Sequence, residues 1–123
     1  MVKNQVFMNA IYQDIDIVRG DTLAFNFQLK GLNGDVPDAI TFSVSENINA
    51  DPIFTSDLQD GITLVEYLTD LDLATYAVRL SPEKTNLLDI ARYYYDLELR
   101  YSGDVLTLMR GRLTAVYDIT RGV

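Results

Sequence analysis

The side chains in this sequence with the greatest chemical potential are carboxylates and tyrosines. The 123 residues include 18 acidic residues and eight tyrosines, but neither histidine nor cysteine. Ser-His-Asp and Cys-His catalysis, disulfides, and thiolate or imidazole metal sites are therefore excluded for this sequence. The acidic residues are numerous and scattered, and no pair stands out as the two carboxyl groups of a glycosidase. We predict that the protein is not an enzyme.

Oxygen ligands for calcium are the metal chemistry that remains. Asn33, Asp35 and Asp38 lie in one polar loop, and Asp70 and Asp72 lie in another. Neither loop has the ligand spacing of a regular calcium-binding loop. Aspartate is also an ordinary turn residue, because its side chain bonds to nearby backbone. We predict neither a metal site nor a cofactor.

The triplet Arg19-Gly20-Asp21 matches the tripeptide that integrins recognise. A three-residue match arises often by chance. The triplet also separates two segments of alternating polarity, where glycine favours a turn. We interpret it as a turn between strands.

Tyr94 and Arg112 form the candidate surface contact. The segment from Tyr93 to Tyr101 alternates between apolar and polar residues, which is typical of a half-buried strand and places Tyr94 on its polar face. A hairpin after Tyr101 brings Tyr94 beside Arg112, where a cation–π contact would contribute about 0.5–1 kcal/mol. Aromatic faces stack on sugar rings, so Tyr94 is also the tyrosine to test for carbohydrate binding. The alternative is an ordinary surface tyrosine.

The register of that hairpin follows from charge burial. A three-residue loop at 102–104 pairs Asp96 with Arg110 on the polar face. A two-residue loop at 103–104 would instead place Arg110 opposite Leu97 on the core face. Burying an unpaired charge is costly, and a slip of one residue moves every side chain to the other face. The sequence therefore predicts the three-residue loop.

Alternating segments of this kind recur along the chain and must position these residues. From residue 11 to 117 the pattern gives about seven to nine short strands, with turns at intervals of about 8–12 residues. The first spans 11–17, and the clearest is marked by Leu23, Phe25, Phe27 and Leu29. This pattern predicts an all-β fold, a two-sheet antiparallel β-sandwich or small barrel. We predict a loosely ordered N-terminal segment at 1–10 and a sandwich domain at 11–120.

One short helical turn is predicted near 82–90, after Ser81-Pro82. A helical turn followed by a strand tyrosine resembles the E–F corner of immunoglobulin-like sandwiches. In that corner a tyrosine hydroxyl bonds to backbone a few residues upstream. Tyr93 or Tyr95 is the candidate, and three ordinary strand tyrosines are the alternative.

The charge balance and the hydropathy pattern limit the partners. A net charge of −8 repels phosphate backbones, so we expect no nucleic-acid partner. No apolar run is long enough to span a bilayer, and no basic-then-apolar leader opens the sequence. We therefore expect no membrane partner and synthesis in the cytoplasm without a signal peptide.

Five short motifs lie at residues 17–27, 60–63, 80–85, 94–97 and 107–111. Together they resemble immunoglobulin-like domains of virion proteins from phages and prophages of Gram-positive bacteria, and are similar to the N-terminal domains of upper baseplate proteins. The resemblance implies a non-enzymatic structural or accessory role in the tail, baseplate or head surface. It implies other virion proteins as partners, a possible homo-oligomer, and location in the virion. The alternative is a carbohydrate-binding or host-surface adhesion module on the same fold.

Overall fold

The computed structural model describes residues 11–117, which contain nine β-strands, a 3₁₀ turn at Thr69–Leu71 and a short helix. The predicted loose segment 1–10 and the residues after 117 lie outside this range. The elements are β1 (Ile11–Tyr12), β2 (Ile15–Val18), β3 (Leu23–Lys30), β4 (Ala39–Ser45), β5 (Phe54–Asp57), β6 (Ile62–Leu68), β7 (Leu73–Leu80), α1 (Pro82–Thr85), β8 (Arg92–Tyr101) and β9 (Asp104–Val116).

These strands form the immunoglobulin-like two-sheet sandwich that the sequence predicts. One sheet has the order β9-β8-β4-β5. β1 and then β2 pair with successive parts of the outer edge of β9. The other sheet has the order β3-β7-β6. The two orders correspond to strands G-F-C-C′ and B-E-D of immunoglobulin domains.

The first edge departs from the predicted antiparallel arrangement. Both β1 and β2 run parallel to β9, whereas the other strand pairs are antiparallel. A hairpin forces consecutive strands to be antiparallel. β2 and β9 are distant in sequence, and β2 crosses to the other sheet at residues 19–22, so no local turn fixes their relative direction.

The core lies between the sheets and follows the alternation in the sequence. All five apolar residues of β8, from Tyr93 to Tyr101, are buried as predicted. β4 contributes Phe42, which stacks on Tyr95 with ring centroids 5.4 Å apart. Phe27 of β3 stacks on Tyr76 of β7 at 5.7 Å. Burial of these large rings supplies a major part of the hydrophobic stabilisation.

The turn of the β8–β9 hairpin is shorter than predicted. Ser102 and Gly103 form a two-residue turn, so Tyr101 pairs with Asp104 and the predicted three-residue loop is wrong. Both turn residues have positive φ, 52° and 85°, as a type I′ hairpin requires. The sequence did not reveal this turn because serine rarely adopts that conformation.

A bulge then restores the predicted register further along the hairpin. The pairing shifts between Leu97 and Glu98, opposite Leu108, which is buried. Beyond the bulge Asp96 pairs with Arg110, as predicted. The extra residue of a bulge shifts the register by one, while the core-facing side chains on both sides of the bulge still face the core. The tight turn and the outward position of Arg110 are therefore compatible.

The predicted first strand at 11–17 is interrupted at Gln13-Asp14, which separates β1 from β2. The Gln13 backbone N–H donates to the Arg110 carbonyl at 2.9 Å, and the Tyr95 hydroxyl donates to the Gln13 carbonyl. A Cβ on Gly111 would lie 2.2 Å from that carbonyl oxygen. The kink at Gln13 therefore packs against Gly111, and this long-range contact interrupts the strand.

The corner between β7 and β8 confirms the predicted tyrosine contact for Tyr93. Its hydroxyl accepts a hydrogen bond from the Asp89 backbone N–H at 2.8 Å, four residues upstream. The helical turn is α1, only four residues long, with Ser81 at the N-cap and Pro82 at the first position. The prediction of a helical turn is right, but it ends before residue 90.

Candidate functional site

The outer face of the larger sheet carries a shallow concavity of about 420 Å³ that contains both predicted contact residues. Tyr94 and Arg112 are register partners on β8 and β9. We call this surface the outer-face concavity. The side chains that shape it are Tyr12, Ser43, Ile48, Tyr94, Arg110 and Arg112.

Alternation along two paired strands positions these side chains. On β8, Tyr94 and Asp96 point away from the core because their neighbours Tyr93, Tyr95 and Leu97 are buried. On β9, Arg110 and Arg112 flank Gly111 and face the same way. Gly111 faces the opposite way, toward Gln13 and the Tyr95 ring.

The predicted cation–π contact between Tyr94 and Arg112 does not form. Ring contacts within the described range join Phe25 to Phe42, Phe27 to Tyr76 and Phe42 to Tyr95, all in the core. Tyr94 and Arg112 are adjacent in the sheet, and both line the concavity.

Arg110 and Asp96 are register partners without an ion pair. Between residues 11 and 117 the recorded salt bridges join Lys84 to Asp60 and Arg100 to Glu98. Asp96 is accessible to solvent, yet the walls of the concavity remove part of its hydration. This desolvation, and secondly the Glu98 carboxylate, raise the pKa of Asp96. The concavity thus combines two guanidinium groups, three tyrosines and one carboxyl group whose pKa is raised.

Two residues at this site were missed by the sequence analysis. Tyr12, which is exposed, lines the concavity from β1. Asp14 holds the kink in place, because its Oδ1 accepts a hydrogen bond from the Arg112 backbone N–H at 3.1 Å. The alternation at 11–17 does not indicate either role, because only the parallel pairing with β9 brings Tyr12 near Tyr94.

Tyr95 lies beneath the concavity and secures its floor to the first edge. Burial, with smaller contributions from Asp14 and Tyr12, raises the pKa of Tyr95 to about 12. Its hydroxyl therefore remains protonated at neutral pH and donates to the Gln13 carbonyl. This bond fixes Gln13, the residue that follows Tyr12 in the chain.

The structure confirms that Arg19-Gly20-Asp21 is a turn and shows that it is held against α1. The Arg19 Nε donates to the Leu88 carbonyl at 2.6 Å. The buried Thr85 hydroxyl accepts from the Gly20 N–H at 3.1 Å and donates to the Asp21 carbonyl at 2.8 Å. An arginine engaged with backbone carbonyls is not presented in the way an adhesion peptide requires.

The two candidate calcium loops lie together, but their acids serve as structural acceptors. Asp72 Oδ1 accepts from the Asn33 N–H at 2.8 Å and from the Tyr67 hydroxyl at 2.9 Å. Asp35 Oδ2 accepts from the Tyr101 hydroxyl at 2.9 Å. Across the described range, no three acidic residues are grouped to hold a metal ion.

A second concave feature lies between the sheets, at the edge formed by β3. We call it the β3 groove, about 500 Å³ in volume and mainly apolar. It lies between β3 on one sheet and β1 and β2 on the other. Its apolar lining consists of Ile11, Ile15, Leu23, Phe25, Phe27, Leu97, Leu108 and Met109. The sequence pattern does not indicate the β3 groove, because alternation does not distinguish an edge strand from a central one.

The outer-face concavity can donate hydrogen bonds to anions and stack on rings, and the β3 groove can bury apolar side chains. No helix among residues 11–117 combines the length and the apolar character that a membrane span requires.

No family model matches the chain, and no curated protein matches it. The class of the protein therefore rests on its fold, an immunoglobulin-like β-sandwich with one open edge groove and one polar concavity.

Proposed function

We propose that the chain is a non-enzymatic structural or accessory subunit of a phage or prophage virion, in the tail, baseplate or head surface. It acts in assembly through protein–protein contacts, is made in the bacterial cytoplasm, and resides in the virion. Support comes from the five motifs that resemble immunoglobulin-like virion domains and from the surfaces described above. Its partners are other virion proteins and further copies of itself.

The observation that carries this proposal is the open edge of β3. β3 is eight residues long and pairs only with β7 within the described range. Its outward-facing residues Ala24, Asn26 and Gln28 carry no charge, and Lys30 lies at its end. Monomeric proteins usually protect a long edge with charges, proline or a covering element, because an unprotected edge pairs with other chains. Such an edge suits a protein that assembles by strand addition.

The test is the composition of purified virions. Particles induced from the host that encodes the chain are purified on a density gradient and analysed by quantitative mass spectrometry. We expect the chain at a fixed copy number relative to the major tail or capsid protein. Recovery of the chain only in the soluble lysate, with complete particles lacking it, would refute the proposal.

The second candidate is a carbohydrate-binding or host-surface adhesion module, and the outer-face concavity favours it. Tyr12 and Tyr94 provide aromatic faces, and Arg110 and Arg112 provide donors for sugar hydroxyls or carboxylates. A glycan array with the full chain separates the two candidates. Binding that is lost in Tyr94→Ala but kept in Tyr117→Ala, an exposed tyrosine outside the concavity, would favour this module. An array without signals would favour assembly.

A further inference from the structure

We infer that the β3 groove of one copy accepts residues 1–10 of a second copy, which add a strand to the free edge of β3. This inference rests on the proposed assembly function and specifies its partner and its mechanism. Four features support it: an edge of β3 that no strand among residues 11–117 covers, the half-buried core residues beside it, the composition of residues 1–10, and the direction in which the chain enters β1.

The edge offers backbone groups for a new strand. β3 pairs with β7 along its whole length without a bulge. Leu23 is paired with Leu80 at one end, and Lys30 is paired with Leu73 at the other. The other side of β3 has no partner strand within residues 11–117. A straight edge of eight residues is about 26 Å long at 3.3 Å per residue, enough for a stable added strand.

The core beside this edge is incompletely covered. Leu23, Phe25 and Phe27 point toward the core but are only half-buried. Their register partners on β7 are fully buried: Leu80, Val78 and Tyr76. The β3 residues are less buried than their β7 partners because they line the open groove between β3 and the strands β1 and β2. An apolar side chain inserted there would exclude water from Phe25 and Phe27.

Residues 1–10 have the composition that this groove needs. Val6, Met8 and Ala10 alternate with Gln5, Phe7 and Asn9, so one face of an extended strand would be apolar. The ten residues contain no proline, glycine or acidic residue, so every backbone N–H can donate and the only formal side-chain charge is Lys3. At about 3.3 Å per residue, ten extended residues would span about 33 Å, which is more than enough to cover the eight residues of β3.

The direction of the chain favours a segment from another copy. β2 passes through the turn at 19–22 directly into β3, so β1 and β2 run opposite to β3, and Ile11 lies toward the Lys30 end. A chain continued backwards from Ile11 in the direction of β1 leaves the groove at that end. For residues 1–10 of the same copy to lie along β3 as far as Leu23, the chain would have to reverse its direction immediately before Ile11. A second copy meets no such requirement.

The test uses the absence of cysteine from the chain. Two full-length variants are made separately, one carrying Gln5→Cys or Asn9→Cys and the other carrying Asn26→Cys on β3. Mixed under mild oxidation, they can form a disulfide only between copies. We expect a mixed dimer in at least fivefold excess over the matched control, in which Glu66→Cys on β6 replaces Asn26→Cys. Glu66 is also exposed but lies on the opposite edge of the same sheet.

A double variant with both cysteines in one chain tests the alternative within a single copy. Closure of that chain into a cross-linked monomer, without mixed dimer from the single variants, would show that the segment fills its own groove and would overturn the inference. Equal mixed-dimer yields at Asn26 and at the Glu66 control would also overturn it.

A measurement without cysteine provides an independent check. In light scattering of the full chain, we expect Val6→Asp and Met8→Asp to reduce the weight-average mass of the assembled protein to that of the monomer. Gln5→Asp, on the other face of the segment, should retain the assembly. If all three variants assemble like the unmodified chain, the inference is wrong. A chain that is present in virions but forms no selective mixed dimer would refute this inference and leave the proposed function standing.

Discussion

The backbone carbonyl of Gln13 lies directly over Gly111, where a Cβ would approach it to 2.2 Å. This contact joins the first edge of the larger sheet to β9 and separates β1 from β2. It also positions Tyr12 at the outer-face concavity and Ile11 at the β3 groove. Both candidate surfaces therefore depend on a glycine whose importance no local sequence pattern indicates.

Gly111→Ala should displace the kink at Gln13. Because the clash is with backbone rather than with a flexible side chain, we expect a loss of about 1–3 kcal/mol in the free energy of unfolding. Exchange of the Gln13 amide, which donates to the Arg110 carbonyl at 2.9 Å, should become faster. Chemical denaturation and residue-resolved hydrogen exchange measure the two effects.

Gly103→Ala is the matched control for that change. A Cβ at Gly103 meets nothing within 4 Å, although its φ of +85° adds a local backbone cost of about 1–2 kcal/mol. The control should lower stability without altering exchange at Gln13. Faster Gln13 exchange in both variants would mean that the kink does not depend on the Gly111 contact.

Tyr95→Phe should remove the hydrogen bond to the Gln13 carbonyl while preserving the ring that stacks on Phe42. We expect a cost of about 1–2 kcal/mol, since a partly buried acceptor loses its donor. Tyr94→Phe, one residue earlier on the outer face, should have no measurable effect. Equal stability of Tyr95→Phe and the unmodified chain in urea denaturation would contradict this assignment.

Stability should decline in alkaline solution as Tyr95 ionises. Burial raises the pKa of Tyr95 in the folded chain to about 12, above the value of 10.0 for an unperturbed tyrosine. The folded state therefore retains its proton more strongly, so the contribution is complete below pH 10 and is lost as pH rises toward 12. Unfolding free energies measured across this interval should fall less steeply in Tyr95→Phe. An identical dependence of the unfolding free energy on pH in the two proteins would contradict a raised pKa of Tyr95.

Lys84→Met should weaken the connection between α1 and β5. The Lys84 ammonium donates to the Thr55 carbonyl, the Ser56 hydroxyl and Asp60 Oδ2, each at 2.7 Å. Ser56 is buried, so the substitution leaves its hydroxyl without this donor, and we expect a cost of about 1–3 kcal/mol by thermal or urea unfolding. Lys30→Met, at an exposed strand end, should be nearly neutral. Similar losses in both would indicate a general charge effect instead.

The sequence predicted the sandwich well where local alternation decides the structure. Tyr93 to Tyr101 form one strand with the expected buried face, and Tyr93 makes the corner contact. The pairing of Tyr94 with Arg112 was also predicted correctly. These features depend on the period of a strand and on the cost of burying Arg110, both of which are visible in the residues themselves.

The features that escaped prediction depend on unusual backbone or on distant contacts. Ser102 adopts positive φ, which shortened the hairpin turn, and a bulge opposite Leu108 compensated for it. The kink at Gln13 depends on Gly111, almost a hundred residues away. Phe25 and Phe27 alternate with polar residues, a pattern that central and edge strands share, so only the topology shows that β3 lies at an edge, where the groove forms.

The most direct test of assembly through β3 is hydrogen exchange of its backbone amides as a function of protein concentration. If a second copy adds a strand, the amides of β3 that face away from β7 should become protected as concentration rises, while the amides of β5 at the other sheet's edge should not change. The protection should appear together with species larger than the 13.9 kDa chain. Rapid, concentration-independent exchange at those β3 amides, in a chain that stays monomeric throughout, would contradict the account.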